Sequence, residues 1–443
     1  YPSPYKSAAV LCMDAVGEWA TTSAWLGNQT SLKQLWEIEF PHSIGMLYSA
    51  FTYYCGFKVN SGEYKLMGLA PYGDAKYKEL ILKNLIDLKE DGSFKLNMRY
   101  FKYHRGLRMI SRDFIRLFNN KPRNPEEPIT QFYMDIAASI QSVTEEVVIK
   151  IATNLQKQTG QDKLCLAGGV ALNCVANGKL LDQSGFDHIW IQPASGDSGS
   201  AVGSALVYIY NNSKRKRRLS KEDTMSSAYL GPEFSNEQIK DYLDQLHVSY
   251  EEFSNERLCN ETANYLSNGK IVGWFQGRME YGPRALGNRS ILGDPRIVDM
   301  QKRMNLKIKN RESFRPFAPA ILDDFKKEYF NLNIESPYML LTRKLTKEHL
   351  VEINENDKSL IGIDRVNQVR SNLPAITHID NSCRVQTVSK LRNPLFYELL
   401  TAFHNLTNSP VLINTSFNVR GEPIVCTPED ALRCFTFTDI DVL

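Results

Sequence analysis

Gly273-Trp-Phe-Gln-Gly-Arg-Met-Glu-Tyr-Gly-Pro-Arg-Ala-Leu-Gly-Asn-Arg-Ser290 opens as an apolar strand and breaks into a loop that interleaves arginine with glycine. From Gln276 to Arg315 there are ten Lys or Arg and only four acids, Glu280, Asp294, Asp299 and Glu312. Gly277, Gly282, Pro283 and Gly287 hold the backbone in turns. Glycine lets backbone N–H groups approach a ligand, and guanidinium forks match phosphate or carboxylate oxygens in pairs. Cations on a sharply folded loop suit a small polyanion better than a long nucleic acid. Trp274, Phe275, Tyr281, Leu286, Ile291 and Leu292 run through the charges, so the loop is expected to be packed, and packed arginines need partners. Arg278, Arg284, Arg289 and, further on, Arg315 are the candidate ligands of a bound anion.

The rest of the chain sets limits on this reading. Its 443 residues predict two or three domains, and 42% hydrophobic with 23% charged residues is a globular composition. The net charge of +3 argues for no special partner. No apolar run approaches the ~20 residues needed to cross a bilayer. Eight scattered cysteines show no CxxC and no pairing rhythm, which fits a reduced, cytoplasmic setting. The chain starts at Tyr1 and enters quickly on what reads as the middle of a domain. The expectation is a numbering that begins inside a longer protein.

Ser7 to Met13 reads as a buried strand ending in Asp14, followed by Gly17, Thr21 and Thr22 and a second strand. His42 to Gly56 reads as a helix with Gly56 past its end, and Glu63 to Gly73 as a further motif in which Lys65 pairs with Glu63 or reaches a ligand. Residues 76–128 are mixed and uninformative. Apolar spacing predicts a long helix from Thr130 to Gln158. It delivers the chain to Lys163-Leu-Cys-Leu-Ala-Gly-Gly-Val-Ala-Leu-Asn173, a strand, the pair Gly168-Gly169, and a helix start near Asn173. A glycine pair at such a turn lets a nucleotide lie against bare backbone, with the helix dipole facing its phosphates. A second strand, His188 to Gln192, leads to Asp197 just before a helix rich in small residues. A carboxylate there can ligate a metal that holds phosphate oxygens or simply cap the helix. The basic run Lys214–Arg218 reads as a solvated linker, giving domains 1–212 and 229–443 joined by residues 213–228.

In the second half, Asp294-Pro295 is expected to start a helix that brings out Asn305, Lys309 and Arg311 near its end. His378, Asp380 and Arg384 share one face if their strand is unbroken. Val411 to Val425 gives a strand, a polar turn with Asn414, Ser416, Asn418 and Arg420, and a second strand.

The strings FQGRMEYGPRALGNRSILGDPR, KIKNRESFRPFAPAIL and GGVALNCVANGKL resemble the carbamoyltransferases of the nodulation-factor, cephamycin and tobramycin type, from about Ala8 to the C-terminus. The resemblance implies an α/β (α+β) chain with an actin/sugar-kinase-like domain followed by a YrdC-like domain, similar to the threonylcarbamoyl-adenylate synthases. It implies ATP with Mg2+ at the second domain, whose carbamoyl-adenylate would form from carbamoyl phosphate at Lys309, Arg278, Arg284, Arg289, Arg315, Arg384, Ser416 and Asn418. It implies cofactor contacts at Asp14, Gly17, Gly168, Gly169 and Asn173 in the first domain. Asp197 would be the ligand of a transition metal, Fe or Zn. The family's further ligands, a His-x-x-x-His pair, have no counterpart among the seven histidines, so an incomplete transfer site is expected. The acceptor would be a hydroxyl of a small molecule or sugar, with no nucleic acid or membrane partner, and a homodimer stays open. Two competitors remain. An actin-like kinase would leave the arginine-rich half idle, and a tRNA-modifying protein would use the run Lys214–Arg218 for salt-sensitive RNA binding.

Overall fold

The computed structural model describes residues 1–213, 215–312 and 314–443, so Lys214 of the basic run and Ser313 lie outside the described residues. The chain is mixed α/β and forms two compact units, Tyr1–Thr224 with Ile361–Arg365, and Met225–Leu360 with Val366–Leu443. The division at Thr224 falls inside the segment 213–228 expected as a solvated linker. Arg215, Lys216 and Arg218 are exposed there, whereas Arg217 is half-buried and its guanidinium donates to the carbonyls of Tyr1 (2.7 Å), Ser3 and Tyr5 (2.8 Å). No helix among the described residues is long and apolar enough to cross a membrane.

The first unit begins with a meander, β1 (Ser7–Met13), β2 (Ala20–Asn28) and β3 (Ser31–Glu39). Next come α1 (Ile44–Tyr54), α2 (Glu63–Leu69), α3 (Lys78–Asn84), the small hairpin β4 (Ile86–Leu88) and β5 (Phe94–Leu96), and α4 (Arg112–Phe118). It closes with α5 (Gln131–Thr159), β6 (Lys163–Ala167), α6 (Cys174–Gln183), β7 (His188–Ile191) and α7 (Asp197–Asn212). The main sheet runs β3-β2-β1-β6-β7, with β1, β6 and β7 mutually parallel. Ala9, Leu11 and Met13 alternate along β1 and are buried, as period two requires of a covered face. Ile136, Ile140, Val143, Val147 and Ile151 form the buried stripe of α5, which packs on β1, α1, α2 and α6. Each such aliphatic side chain contributes ~1.5–3 kcal/mol over its exposed state. The long-helix and α1 expectations hold to within a residue or two.

The second unit comprises α8 (Asn236–Gln245), α9 (Asn255–Ser267), β8 (Val272–Phe275), β9 (Arg289–Gly293), α10 (Met300–Arg303), β10 (Ala318–Leu322), α11 (Lys326–Phe330) and β11 (Leu341–Lys344). It continues through α12 (Glu355–Lys358), β12 (Ser382–Val388), α13 (Pro394–Thr407), β13 (Val411–Ser416) and α14 (Pro428–Thr436). The sheet order is β11-β12-β10-β13-β9-β8. Cys259, Ala263 and Leu266 of α9 join Phe396, Leu399, Leu400 and Phe403 of α13 in one core against Trp274, Leu292, Leu322 and Leu412.

Two local expectations are corrected here. Asp294 does not start a helix: its carboxylate takes the Arg296 guanidinium (Nη2–Oδ2 2.6 Å) and backbone N–H (2.9 Å), and helix begins only at Met300. The side chain chose a local turn and an ion pair over capping. His378 and Asp380 do not continue the strand of Arg384, because Asn381 is left-handed (φ 64°) and closes a turn before Ser382. Asparagine tolerates that conformation at small cost.

Candidate functional site

In the second unit the sheet register collects the candidates at one end. Phe275 at the end of β8 pairs with Arg289 at the start of β9, and Ser290 pairs with Ser416 at the end of β13. Asn414 pairs with Ala318, three residues beyond Arg315, and β12 runs parallel to β10 with Gln386 beside Ala320, which brings Arg384 to the same end. The arginine-glycine loop therefore connects β8 to β9 above the place where Arg315, Ser416, Asn418 and Arg384 arrive.

Lys309 sits at the centre of this end. The chain passes from α10 into one π turn, Met304–Ile308, which brings the Lys309 N–H to the Met304 carbonyl (2.9 Å). Its side chain is 4% exposed. The amine donates to the Ser416 carbonyl (2.6 Å) and Oγ (3.2 Å), and to the Asn418 carbonyl (2.8 Å) and Oδ1 (2.6 Å). All four acceptors are neutral, and among the described residues no carboxylate forms an ion pair with the amine. Burial, reinforced by Arg311 and Arg315, pushes the amine well below the ordinary lysine value. Arg315 is buried and donates to Glu312 (3.2 Å), and Arg311 lies over the Phe317 ring (4.7 Å). Buried positive charge of this kind is ready to receive an anion.

The loop's arginines divide by use. Arg289 is fully buried under the Phe275 ring (3.6 Å) and donates to the carbonyls of Gln276 (2.6 Å), Gly277 (3.2 Å), Asn288 (2.9 Å), Pro232 (3.3 Å) and Cys426 (3.4 Å). Its donors brace the loop. Arg278 is exposed and reaches the Gly231 carbonyl (3.3 Å) and Glu233 (3.4 Å). Arg284 and Arg384 are half-buried.

The sequence reading missed what shapes this loop. Glu280 is buried, and one of its oxygens accepts the backbone N–H groups of Leu286 (2.6 Å), Asn288 (2.9 Å) and Arg289 (3.3 Å). Burial raises its pKa, against the pull of those N–H groups. Beneath it lies an amide network: Gln276 donates to Asn288 (3.0 Å) and Asn393 (3.1 Å), and Asn393 donates to Tyr229 (2.8 Å) and Asn288 (2.9 Å). Gln386 reaches the Leu286 carbonyl (2.7 Å) and accepts from Asn414 (2.7 Å). The one available signal was that Glu280 is the only acid between Gln276 and Arg289. His378 and Asp380 do meet, at 3.6 Å, and His378 with Ser382 holds the Asp380 carboxyl below its usual range although burial opposes this.

In the first unit, Asp14, Gly168 and Asp197 follow the C-terminal ends of the adjacent parallel strands β1, β6 and β7. Open α/β sheets bind ligands outside those ends. The Asp14 carboxylate lies over Gly169, where an added Cβ would sit 3.1 Å from Oδ1. Gly168 has φ 86°, and a Cβ there would meet the Met13 carbonyl at 2.1 Å, so only glycine lets β1 and this turn close together. Ser43 caps α1 and donates to the Asp14 carbonyl (3.0 Å). Asn173 caps α6, and its amide is tied to Gln141 of α5 by two hydrogen bonds of 3.1 Å. Gly17 (φ 60°) serves the β1–β2 turn. Glu63 is held by Ser49, Asn60 and Gly62, while the Lys65 amine lies 5.9 Å over Phe57. Asp197 is exposed in the first turn of α7, capped by Gly196. Among the described residues no three His, Cys, Asp or Glu lie together to hold a metal ion.

Residues 1–206 match the family described as carbamoyltransferase N-terminus, and residues 263–443 match carbamoyltransferase C-terminus. An uncharacterized protein of Synechocystis is 57% identical over the whole of this chain and 72% of its own length. Nodulation protein NolO of Bradyrhizobium diazoefficiens is 36% identical over the whole chain and 75% of its own length. The 3'-hydroxymethylcephem-O-carbamoyltransferase of Amycolatopsis lactamdurans is 30% identical over 82% of this chain and 59% of its own. The chain belongs to the carbamoyltransferase family and is a carbamoyltransferase.

Proposed function

We propose that the protein is an ATP-dependent O-carbamoyltransferase that works in two half-reactions. In the first, carbamoyl phosphate is hydrolysed to carbamate and phosphate. A carbamate oxygen then attacks the α-phosphorus of ATP, the bond to the β-phosphate oxygen breaks, and pyrophosphate leaves carbamoyl-AMP. In the second, an acceptor hydroxyl attacks the carbamoyl carbon, loses its proton, and AMP leaves. The O-carbamoyl product follows the named activity of the cephem relative.

The observation that carries the first half is the Lys309 amine, buried among neutral oxygens beside Arg311 and Arg315 at the end of the sheet where Ser416 and Arg384 arrive. Carbamoyl phosphate and ATP bring several negative charges together, and fixed cations in a water-poor site offset that cost without reorganising. Mg2+ would accompany ATP and screen its phosphates. In this account Lys309, Arg315 and Arg384 meet the reacting anions. Arg278, exposed on the loop, and Arg284 would help hold the anion, Ser416 and Asn418 orient the lysine, and Arg289 holds the loop. The YrdC-like identity of this unit rests on the resemblance of its motifs.

For the second half, the actin-like reading is supported by the Asp14 turn of the β1–β2 hairpin against Gly168-Gly169. Gly17 shapes that turn and Asn173 fixes the helix behind it. Asp197 would contribute one metal ligand; no step is assigned to the metal. The test is product identity: mass spectrometry after incubation with ATP, Mg2+ and carbamoyl phosphate, without acceptor. Carbamoyl-AMP supports the proposal, and ADP formed whether or not carbamoyl phosphate is present would favour an actin-like kinase instead.

A further inference from the structure

The segment between β5 and α4 carries a charge pattern that the carbamoyl chemistry does not use. Residues 95–112 hold six Lys or Arg and no Asp or Glu. Arg99 pairs with Asp113 at 2.8 Å. Lys95, Lys102, Arg105, Arg108 and Arg112 are exposed, and among the described residues none of them makes an ion pair. This is a built loop. Phe101 and Ile110 are buried and bridged, the Lys102 N–H meets the Met109 carbonyl (3.0 Å), and Tyr103 donates to the Pro41 carbonyl (2.8 Å). At its tip Leu107 is 106% exposed, between Arg105 and Arg108. A second exposed apolar group, Trp19 (71%), is tied to the same segment by Phe40, whose N–H donates to the Trp19 carbonyl (2.8 Å) and whose ring lies 6.1 Å from that of Tyr103.

We propose that this loop docks the protein on an anionic phospholipid surface, Leu107 and Trp19 entering the interface and the five unpaired cations meeting lipid phosphates. A solvated patch for nucleic acid would gain nothing from a leucine held fully in water between two arginines. At a bilayer, an apolar tip with a cationic collar is rewarded twice, by burial and by attraction to anionic headgroups. Tryptophan favours the same depth. Such contact needs no membrane-spanning helix, and it goes beyond the expectation of no membrane partner. It stands apart from the assignment of ATP chemistry to the other unit.

The test is co-sedimentation of the full chain with vesicles of phosphatidylglycerol and phosphatidylcholine in equal parts, and with phosphatidylcholine alone. Binding is expected to the mixed vesicles only, weakening as salt is raised. Arg105→Ala with Arg108→Ala should lower the partition constant roughly 30-fold, at about 5-fold per cation. Leu107→Ser should lower it about 10-fold. These side chains are exposed, and unchanged circular dichroism would confirm that the variants fold. No binding of the wild-type chain to the mixed vesicles overturns the proposal. So does binding that ignores Leu107→Ser, or equal retention by single-stranded RNA, which would mark the patch as purely electrostatic.

Discussion

Lys309 is the residue on which the proposed chemistry turns. Lys309→Met keeps the length and removes the charge, so carbamoyl-phosphate-dependent pyrophosphate release should fall about 10²–10³-fold. The oxygens of Ser416 and Asn418 would lose their donor, costing ~1–3 kcal/mol of stability visible in a denaturation midpoint. Its titration gives a second handle. The amine is cationic below its pKa, and burial with Arg311 and Arg315 lowers that pKa. Activity that needs the ammonium should therefore fall as pH rises through the lowered value, earlier than the ~10.4 of an ordinary lysine. A pH–rate profile with no alkaline limb before that region would contradict the assignment. Lys309 was legible in the sequence as one cation among ten, but its neutral set of acceptors was not, because only the fold decides which oxygens surround it. Arg289 shows the converse. Its place in the loop suggested a ligand, and the fold spends its donors on five carbonyls.

At the scale of the element, the β8–β9 loop is held from inside by Glu280. Glu280→Ala would leave three backbone N–H groups without their acceptor, at ~1–3 kcal/mol each if they stay buried, and should abolish pyrophosphate release along with loop order. Glu280→Gln keeps the accepting oxygen and should retain the fold. The raised pKa sets the sign of a further check. A carboxyl whose folded pKa lies above its unfolded one contributes stability that is present below the unfolded value and lost as pH rises through the folded value. The thermal midpoint of the wild type should show that loss and Glu280→Gln should not. The same loop needs Gly287, with φ 110° and a site where a Cβ would meet the Phe396 ring at 2.4 Å. Gly287→Ala should cost at least ~1–3 kcal/mol in a denaturant titration. Regular elements were legible because their periodicity is strong, as in α5. The Asp294 turn and the break at Asn381 were not, since a short polar side chain can cap a helix or close a local turn, and neighbours such as Arg296 decide.

For the whole molecule, the division into two units was legible from the polar, basic segment 213–228, and the break after Thr224 falls within it. The basic run looked solvated, whereas Arg217 is anchored to the start of the chain. If the proposed half-reactions divide between the two units, they should be separable. Asp14→Ala should leave acceptor-free pyrophosphate release intact, because ATP activation is placed in the other unit. Loss of that release in Asp14→Ala would move the ATP chemistry into the first unit. The measurement that bears most directly on the central claim is pyrophosphate release from ATP and Mg2+, with and without carbamoyl phosphate, for the wild type and Lys309→Met. The account predicts release that requires carbamoyl phosphate and collapses in the variant. Formation of ADP independent of carbamoyl phosphate, or equal release by both proteins, would contradict it.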